Sequence, residues 1–356
     1  MSRFLRQSLA KMEAYTPGEQ LNDKEYIKLN TNESPYPPSA EVISALSVGK
    51  IERLRLYPEP EGNALRDKIA ERYGLKRENV VLTNGSDEAL SYFFMAFCGD
   101  GCGVVFPDIT YGFYEVFGDL YGAEYEKIPL EDDFSIDCEK YYGIGKNIVI
   151  ANPNAPTGLS IPLENIEKML ETNPNNVVLI DEAYVDFGGK SCVGLIEKYE
   201  NLLVVQTFSK SRSLAGARLG FAMGNAELIA DMNKMKFSTN PYNVNRLTML
   251  AGEAAISDTE YFEKCTNEII ATRGKTAAEL KARDFAVLNS DTNFLFAKHG
   301  KIGGDVLYRE LRSRGILVRY FGKERIRDYV RITIGTPKQM EKFIAAIDEI
   351  TDGVVK

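Results

Sequence analysis

Residues 207–220 read TFSKSRSLAGARLG and directly follow the apolar run LLVV at 202–205. Such a run predicts a buried strand, so Lys210 lies just past the strand's end and can point into a cleft. Ser209 and Arg218 belong to the same glycine-containing connection and can hold an anion beside the lysine. This arrangement suits an enzyme that ties an aldehyde cofactor to lysine as a Schiff base and grips the cofactor's phosphate. Taken alone, Ser-Lys is more typical of a surface loop. Motifs elsewhere in the chain are needed to distinguish a surface loop from a cofactor site.

Short apolar runs recur through the first two thirds of the chain, and several are separated by helical-looking segments. Each run is too continuous for a half-exposed strand. Strands buried on both faces with helical crossovers indicate a mostly parallel sheet in an α/β domain. The predicted elements are a helix over 63–73 and strands at 80–82, 104–106, 148–150, 177–180, 202–205 and 219–223.

The pattern changes around Ser257, where SDTE fits a helix-capping box. From there helices and strands alternate in a way typical of a smaller α+β domain. We therefore predict a large domain over residues 28–256 and a small domain formed by residues 1–27, an N-terminal arm, together with 257–356. The elements predicted in the last part are helices from 257 to about 283, over 304–314 and from Pro337, and strands over 292–297, 316–319 and 330–334.

The composition, 44% hydrophobic and 26% charged, is that of a folded protein. The net charge of −8 argues against partners such as nucleic acid or anionic membrane, because both need a basic face. No stretch approaches the roughly 20 apolar residues of a membrane helix, and no signal peptide is evident, so we expect a cytoplasmic protein. Of the five cysteines only Cys98 and Cys102 lie close together, and no second pair or nearby histidine completes a metal site. The one histidine, His299, is expected at the surface, which argues against Ser-His-Asp catalysis.

Polar motifs follow the predicted strands at their carboxyl ends, where open α/β sheets place ligands. After the first run, TNGSDE at 83–88 places the free amides of a helix start at Ser86 and Asp87, which suits a phosphate. A plain helix cap is the alternative reading. After the second run, Tyr111 can stack on a planar ring or serve as an ordinary core aromatic.

Two more strand ends carry polar groups. The third run is followed by NPNAPTG at 152–158, whose prolines and glycine fix the backbone and can hold Asn154 as a rigid donor, or form a simple turn. The fourth run ends in Asp181, followed closely by Tyr184. Burying a carboxylate there costs folding free energy unless it contacts a cation or a strong hydrogen-bond donor. A protonated pyridine nitrogen is such a partner, and a structural ion pair is the alternative.

The order of these motifs is more specific than any one of them. Phosphate turn, ring aromatic, asparagine turn, strand-end aspartate, Schiff-base lysine and arginine follow one another along the chain. In this the chain resembles the fold-type I pyridoxal-phosphate enzymes, within the class I and II aminotransferases, over nearly its whole length. It is most similar to the histidinol-phosphate aminotransferases. The segments that carry the resemblance are 28–37, 57–59, 152–158, 181–184, 207–220 and 330–336.

The resemblance implies pyridoxal 5'-phosphate as the cofactor and a role for each matching residue. Lys210 would form the Schiff base and then shuttle a proton between substrate and cofactor. Asp181 would pair with the pyridine nitrogen and keep it protonated. Asn154 and Tyr184 would hydrogen-bond the ring oxygen, and Tyr111 would stack on the ring face.

The resemblance also implies how the cofactor phosphate is held. The backbone amides of Ser86 and Asp87 would bind it together with the Ser209 hydroxyl and the Arg218 guanidinium. Tyr57 would reach the phosphate of the neighbouring subunit's cofactor. The active unit is therefore expected to be a homodimer with shared active sites.

For the substrate, the resemblance implies transfer of an amino group from histidinol phosphate to 2-oxoglutarate, giving imidazole acetol phosphate and glutamate. Arg331 would grip a substrate carboxylate through a two-pronged ion pair. Arg319 would bind the substrate phosphate, with Tyr15 and Asn32 beside it. One alternative is an aromatic amino-acid aminotransferase in which Arg319 is idle. Another is a threonine-phosphate decarboxylase, whose usual His-Gly-Gly element is missing from this sequence.

Other protein classes fit less well. A nicotinamide dehydrogenase needs Gly-x-Gly-x-x-Gly after its first strand, and the sequence at 84–89, NGSDEA, lacks that spacing. A cofactor-binding transcription regulator needs an added DNA-binding domain, and the predicted enzyme core begins too close to the start of the sequence for one.

Overall fold

The computed structural model of the protein describes residues 4–10, 12–21 and 23–354. Its strands form two separate sheets. In chain order, the strands of the described residues are β1 (Ile27–Leu29), β2 (Val80–Thr83), β3 (Val104–Pro107), β4 (Tyr125–Ile128), β5 (Asn147–Ala151), β6 (Val178–Asp181), β7 (Leu202–Thr207), β8 (Gly220–Gly224), β9 (Phe285–Val287), β10 (Phe294–His299), β11 (Ile316–Tyr320) and β12 (Val330–Thr333).

Helices connect the strands and cover the faces of the sheets. Helix α3 coincides with the predicted segment 63–73. In the described part of the chain the α-helices are α1 (Ala40–Ala45), α2 (Val48–Ile51), α3 (Asn63–Tyr73), α4 (Ser86–Phe97), α5 (Phe113–Tyr121), α6 (Leu163–Thr172), α7 (Ala226–Thr239), α8 (Arg246–Ser257), α9 (Thr259–Lys281), α10 (Gly304–Ser313) and α11 (Pro337–Val354).

The larger sheet has the order β2-β8-β7-β6-β5-β3-β4. Strands β3 to β7 run parallel to one another, and β8 lies antiparallel between β2 and β7. The prediction of an α/β fold with a mostly parallel central sheet is confirmed. Strand β4 has no counterpart among the predicted strands because it lies at the sheet edge, where Glu126 and Lys127 are exposed and interrupt the apolar pattern.

Two hydrophobic cores lie on the two faces of this sheet, because alternate residues of a strand point in opposite directions. In β5, Ile148 and Ile150 join the core beneath α3, α6 and α8, whereas Val149 joins the core beneath α4, α5 and α7. All three side chains are fully buried. Burial on both faces explains why the sequence shows continuous apolar runs instead of alternation.

The smaller sheet has the order β1-β11-β12-β10-β9 and packs against α9, α10 and α11 through a third core. Strand β1 pairs in parallel with β11, and its Leu29 is fully buried in that core. The predicted domain boundary at residue 28 therefore falls inside β1, which belongs to the small sheet. A strand of three residues is too short to leave a recognisable pattern.

The helix predicted from Ser257 starts slightly later than expected. Helix α9 begins at Thr259, and the Asp258 side chain accepts a hydrogen bond from the Tyr261 N–H. Asp258 is therefore the N-cap, whereas Ser257 closes α8 and donates its hydroxyl to the Glu253 carbonyl. The end of α8 and the start of α9 share this junction. The Ser257 hydroxyl is bonded within α8, so the next residue caps α9.

The structure can be compared with the predictions made from composition about membrane helices, metal sites, cysteines and His299. None of the described helices is long and apolar enough to cross a bilayer. The described part of the chain also holds no group of three or more metal-ligating side chains, and its cysteines are unpaired. The prediction of a surface His299 is wrong: the ring is buried, and its Nδ1 atom accepts hydrogen bonds from the N–H groups of Lys301 and Ile302.

The two sheets meet at a cleft of about 1210 Å³. The carboxyl ends of β6 and β7 and the first turn of α4 open into it from the large sheet, and β11 and β12 line it from the small one. Because parallel strands end at the same edge of a sheet, side chains far apart in sequence come together here.

Candidate active site

Lys210 projects into the cleft just beyond the end of β7. Thr207 helps to turn the chain there: its Oγ1 accepts from the Ser209 N–H at 3.1 Å and donates to the Ser209 Oγ at 3.0 Å. The Lys210 Nζ atom lies 3.5 Å from the Thr31 carbonyl oxygen and 5.7 Å from the centre of the Tyr184 ring. A 3.5 Å hydrogen bond is weak, so the amine keeps most of its capacity for another partner.

Asp181 lies at the end of β6 and opens into the same cleft as Lys210. Its Oδ2 atom accepts from the Tyr114 hydroxyl at 2.9 Å, and its Oδ1 atom accepts from the Ala183 N–H at 3.1 Å. Burial raises the pKa of the Asp181 carboxyl to about 6, although the Tyr114 hydrogen bond acts in the opposite direction. A buried carboxylate with two donors, and with no contacting cation among the residues that the structure describes, is a strong acceptor for a cationic ligand.

An anion cradle lies at the start of α4. Gly85 has a φ of +76°, and a Cβ atom placed on it would lie 2.6 Å from the Arg218 Nη2 atom. Likewise, a Cβ atom on Gly220 would lie 2.6 Å from the Ser86 backbone nitrogen. The Arg218 Nη2 atom also lies 3.1 Å from the Asp87 Oδ2 atom. Gly85 thus lets a guanidinium approach the helix N-terminus closely, and Gly220 lets β8 pack against the same turn, which together suit a phosphate.

Aromatic side chains form one wall of the cleft. The Tyr111 hydroxyl donates to the Asp87 Oδ1 atom at 2.7 Å. The Tyr15 ring stacks on Phe113 with centroids 4.2 Å apart and lies 6.0 Å from the Tyr111 ring. Burial raises the pKa of both tyrosines, well above the usual value in Tyr111. Both phenols therefore remain neutral hydrogen-bond donors.

Two arginines face the cleft from the small sheet. Arg319 of β11 and Arg331 of β12 are direct partners in the antiparallel ladder. Arg319 donates to the carbonyls of Thr16 and Pro17 at 3.1 and 3.3 Å. Arg331 donates to the Asn30 carbonyl at 3.0 Å, while its buried Nε has no hydrogen-bond partner among the described residues. Burial lowers the Arg331 pKa, so an anion bound here would relieve the cost of two adjacent cations.

Asn32 connects the small sheet to Tyr184. Its backbone has a φ of 56°, and its N–H donates to the Thr333 hydroxyl at 3.0 Å. The Asn32 side-chain amide donates to the Tyr184 hydroxyl at 2.9 Å. Asn32 is buried and so holds the Tyr184 phenol in place.

Asn154 and Tyr57 stand apart from the other predicted site residues. The Asn154 amide nitrogen donates to the Ile109 carbonyl and to the Thr157 hydroxyl, both at 3.0 Å. These bonds use both of its N–H groups, one inside the turn and one toward the segment after β3, so its contact with a ring oxygen stays a prediction. Tyr57 is 77% exposed and stacks on Tyr242, outside the residues that line this cleft.

A sequence profile described as aminotransferase class I and II matches residues 24–347. The chain belongs to the class I and II aminotransferases. The histidinol-phosphate aminotransferase of Brachyspira hyodysenteriae is 50% identical over 351 residues, which are 98% of this chain and 99% of the relative. The prediction of an aminotransferase is confirmed.

Solved structures agree with this membership in the aminotransferases. A histidinol-phosphate aminotransferase from Clostridium acetobutylicum has a TM-score of 0.85 at 25% identity, covering 92% of this chain and 100% of that chain. The enzyme from Sinorhizobium meliloti, solved in complex with pyridoxal-5'-phosphate, has a TM-score of 0.86 at 24% identity, covering 93% and 92%. At that identity the second likeness shows the fold alone.

Most site residues predicted for this aminotransferase line one cleft. The residues are Tyr15, Asn32, Ser86, Asp87, Tyr111, Asp181, Tyr184, Ser209, Lys210, Arg218, Arg319 and Arg331. Sequence reasoning missed Tyr114, which binds Asp181, and the carboxylate of Asp87, which pairs with Arg218. The signal for Tyr114 was its position three residues after Tyr111, which puts both on one side of a helix start.

Proposed function

We propose that this chain is a pyridoxal 5'-phosphate-dependent aminotransferase that converts histidinol phosphate and 2-oxoglutarate into imidazole acetol phosphate and glutamate. The observation that carries the proposal is the shared cleft: the Lys210 amine and the Asp181 carboxylate open into it on one side, and Arg319 and Arg331 on the other. The printed names of the relatives described above support this choice of substrate.

The cradle and the buried carboxylate fit this cofactor. The amides of Ser86 and Asp87 with Arg218 and Ser209 would hold its phosphate, and Asp181 would hold its ring nitrogen. When bound, the cofactor supplies an aldehyde that takes up the amino group and an electron-withdrawing ring. Asp87 now neutralises Arg218, so phosphate binding would exchange one anionic partner of this guanidinium for another.

The proposed roles of the chain's own groups follow from where they lie. Lys210 would take a proton from the substrate α-carbon and pass it to the bound cofactor, because its amine is held in the cleft by only a weak hydrogen bond. Asp181, which is buried, would keep a positive charge on the ring nitrogen. Tyr184, fixed by Asn32, would present its hydroxyl to the ring oxygen.

The two arginines would divide the anionic groups of the substrates. Arg331, whose buried Nε lacks a partner in the described chain, would bind a carboxylate of 2-oxoglutarate. Arg319, its neighbour across the ladder, would bind the phosphate of histidinol phosphate. An aromatic amino-acid aminotransferase would leave Arg319 idle, and a threonine-phosphate decarboxylase would act on a third substrate.

Replacing Arg319 with methionine tests this substrate assignment. We expect kcat/KM for histidinol phosphate to fall by about 10- to 100-fold, because charge-assisted hydrogen bonds to a phosphate are lost. The value for phenylalanine should change by less than about threefold. Steady-state assays with histidinol phosphate, phenylalanine and threonine phosphate check both statements. Arg309→Met on the exposed face of α10 is the matched control, and an equal loss for all substrates would contradict the assignment.

We also infer a homodimer, because large apolar side chains are exposed near the segment that carries Tyr57 and beside its stacking partner Tyr242. The Arg246 guanidinium donates to the Tyr57 carbonyl at 2.7 Å and steadies that segment. In the dimer, the Tyr57 hydroxyl would reach the cofactor phosphate in the other subunit. The exposed side chains are Ile43, Ile51, Leu54, Leu56, Tyr57, Phe237 and Tyr242.

Replacing Tyr57 with phenylalanine tests the shared site. The dissociation constant of pyridoxal 5'-phosphate should rise by about tenfold, because one hydrogen bond to a charged phosphate is lost. Sedimentation should still show a dimer, since the ring remains. Tyr121→Phe, another partly exposed tyrosine, should leave cofactor binding unchanged. Unaltered binding in Tyr57→Phe would refute the role across the dimer.

The unpaired cysteines support a cytoplasmic location, because a reducing compartment keeps thiols free. The net charge of −8 supports small-molecule partners over nucleic acid.

A further inference from the structure

We propose that Tyr114 is a positioning residue for the reaction: its hydroxyl holds the Asp181 carboxylate in the orientation and the ionised state that a pyridinium partner requires. The inference rests on the proposed function, because that function makes the ring nitrogen of the cofactor the partner of Asp181. It is carried by the 2.9 Å hydrogen bond from the Tyr114 hydroxyl to the Asp181 Oδ2 atom.

Tyr114 is built as a rigid donor. It lies in the first turn of α5, has no exposed surface, and packs its ring against Phe106 of β3 and against Tyr111, with centroids 5.8 Å away in both cases. A buried phenol needs an acceptor, and within the described part of the chain the Tyr114 hydroxyl finds it in Asp181. Burial also raises the Tyr114 pKa well above its usual value, so the hydroxyl keeps its proton.

The second donor to Asp181 comes from its own loop. The Ala183 N–H binds the Oδ1 atom and is set by the turn after β6. Tyr114 is thus the donor supplied by another element, and it fixes the rotation of the carboxylate. Each carboxylate oxygen accepts about two hydrogen bonds. One acceptor direction therefore remains on each oxygen for a ligand in the cleft.

The charge of Asp181 depends on the same contact. The neighbouring titratable groups are the Lys210 amine, the Asp87 carboxylate and the phenols of Tyr111, Tyr114 and Tyr184. Burial raises the Asp181 pKa to about 6, and the Tyr114 hydrogen bond is the largest influence that lowers it. Without this hydroxyl the carboxyl would be protonated over a wider range of pH. A neutral carboxyl group does not pair with a pyridinium.

The test is the affinity of the cofactor-free protein for pyridoxine 5'-phosphate, which lacks the aldehyde and cannot bond covalently to Lys210. Dissociation constants of wild type and Tyr114→Phe are measured from about pH 5.5 to about pH 8.5. We expect their ratio to be about tenfold at the acid end and to fall clearly toward the alkaline end, where Asp181 is ionised in both proteins and only its orientation differs. The titrations of the ligand itself are shared by both proteins and cancel in the ratio.

Two controls separate this role from a packing defect. Tyr141→Phe removes another buried phenol, one whose hydroxyl has no hydrogen-bond partner in the described chain, and should leave the affinity unchanged. In an Asp181→Asn background, Tyr114→Phe should leave the dissociation constant nearly unchanged at every pH, since the titrating group is gone.

Three results would overturn the inference: a ratio of one throughout, a raised ratio that does not vary with pH, or a Tyr114→Phe effect that persists in the Asp181→Asn background. Failure of the wild-type protein to bind either pyridoxine 5'-phosphate or pyridoxal 5'-phosphate is a distinct outcome. It would overturn the proposed function, and this inference with it.

Discussion

Alanine in place of Lys210 should leave a folded protein that binds pyridoxal 5'-phosphate and has lost repeated turnover by at least about 10³-fold. The Lys210 amine lies in the cleft just beyond the end of β7 and is suited both to bond an aldehyde and to carry a proton, whereas the anion cradle at Gly85 and Arg218 is untouched. Steady-state transamination measures the loss of turnover. Equilibrium titration with the cofactor measures the binding that remains.

The visible absorption spectrum gives an independent check on the Lys210 variant. Wild type should show the absorption band of covalently attached cofactor, and the variant should show the spectrum of free aldehyde. Lys234→Ala, on the exposed side of α7, is the matched control and should behave as wild type. Normal turnover by Lys210→Ala would end the assignment of an aminotransferase mechanism that uses this residue.

The second large effect is expected from Asp181→Asn. Asparagine keeps the shape of the side chain but carries no charge to hold a proton on the ring nitrogen. We expect kcat to fall by about 10²- to 10³-fold, the usual scale for removing a preorganised electrostatic partner. Steady-state kinetics with histidinol phosphate measure the fall. A variant that retained wild-type kcat would show that the buried carboxylate is not needed for the reaction.

The pH dependence of unfolding, compared between cofactor-free wild type and Asp181→Asn, is a control whose direction is predicted. The Asp181 pKa is raised to about 6 in the folded protein, so its neutral form favours folding below the unfolded pKa. That contribution is lost as pH rises through about 6. Between about pH 5 and about pH 7.5, wild type should therefore lose roughly 1 kcal/mol of unfolding free energy relative to Asp181→Asn. Denaturant unfolding at both pH values measures the difference, and a low kcat with this stability trend excludes misfolding as its cause.

Local patterns in the sequence predicted the elements that are long or fully buried. The helix over 63–73 and the apolar runs of the large sheet correspond to α3 and to strands buried on both faces. Short or half-exposed elements were not predicted, such as β1 with three residues and β4 with its exposed Glu126 and Lys127. Their stability comes from neighbours in the sheet, and a local pattern does not record those neighbours.

For the site, the order of motifs along the chain predicted the groups that we propose carry the chemistry. Lys210, Asp181 and Arg218 each follow or flank an apolar strand, and the parallel arrangement of the sheet explains why they face one cleft. The residues that support them were harder to find. Tyr114 and Thr207 are common residue types, and their hydrogen bonds to Asp181 and Ser209 depend on exact side-chain placement.

The sequence by itself determined the fold class and the family and predicted the candidate reactive groups, because strand ends and glycine turns are local features with a regular spacing. Only the tertiary structure decided that Arg319 and Arg331 lie side by side, that Asp87 pairs with Arg218, and that the Asn154 amide donates to the Ile109 carbonyl. Those contacts arise where separate elements meet. Their energies depend on distance and burial, which a linear sequence does not contain.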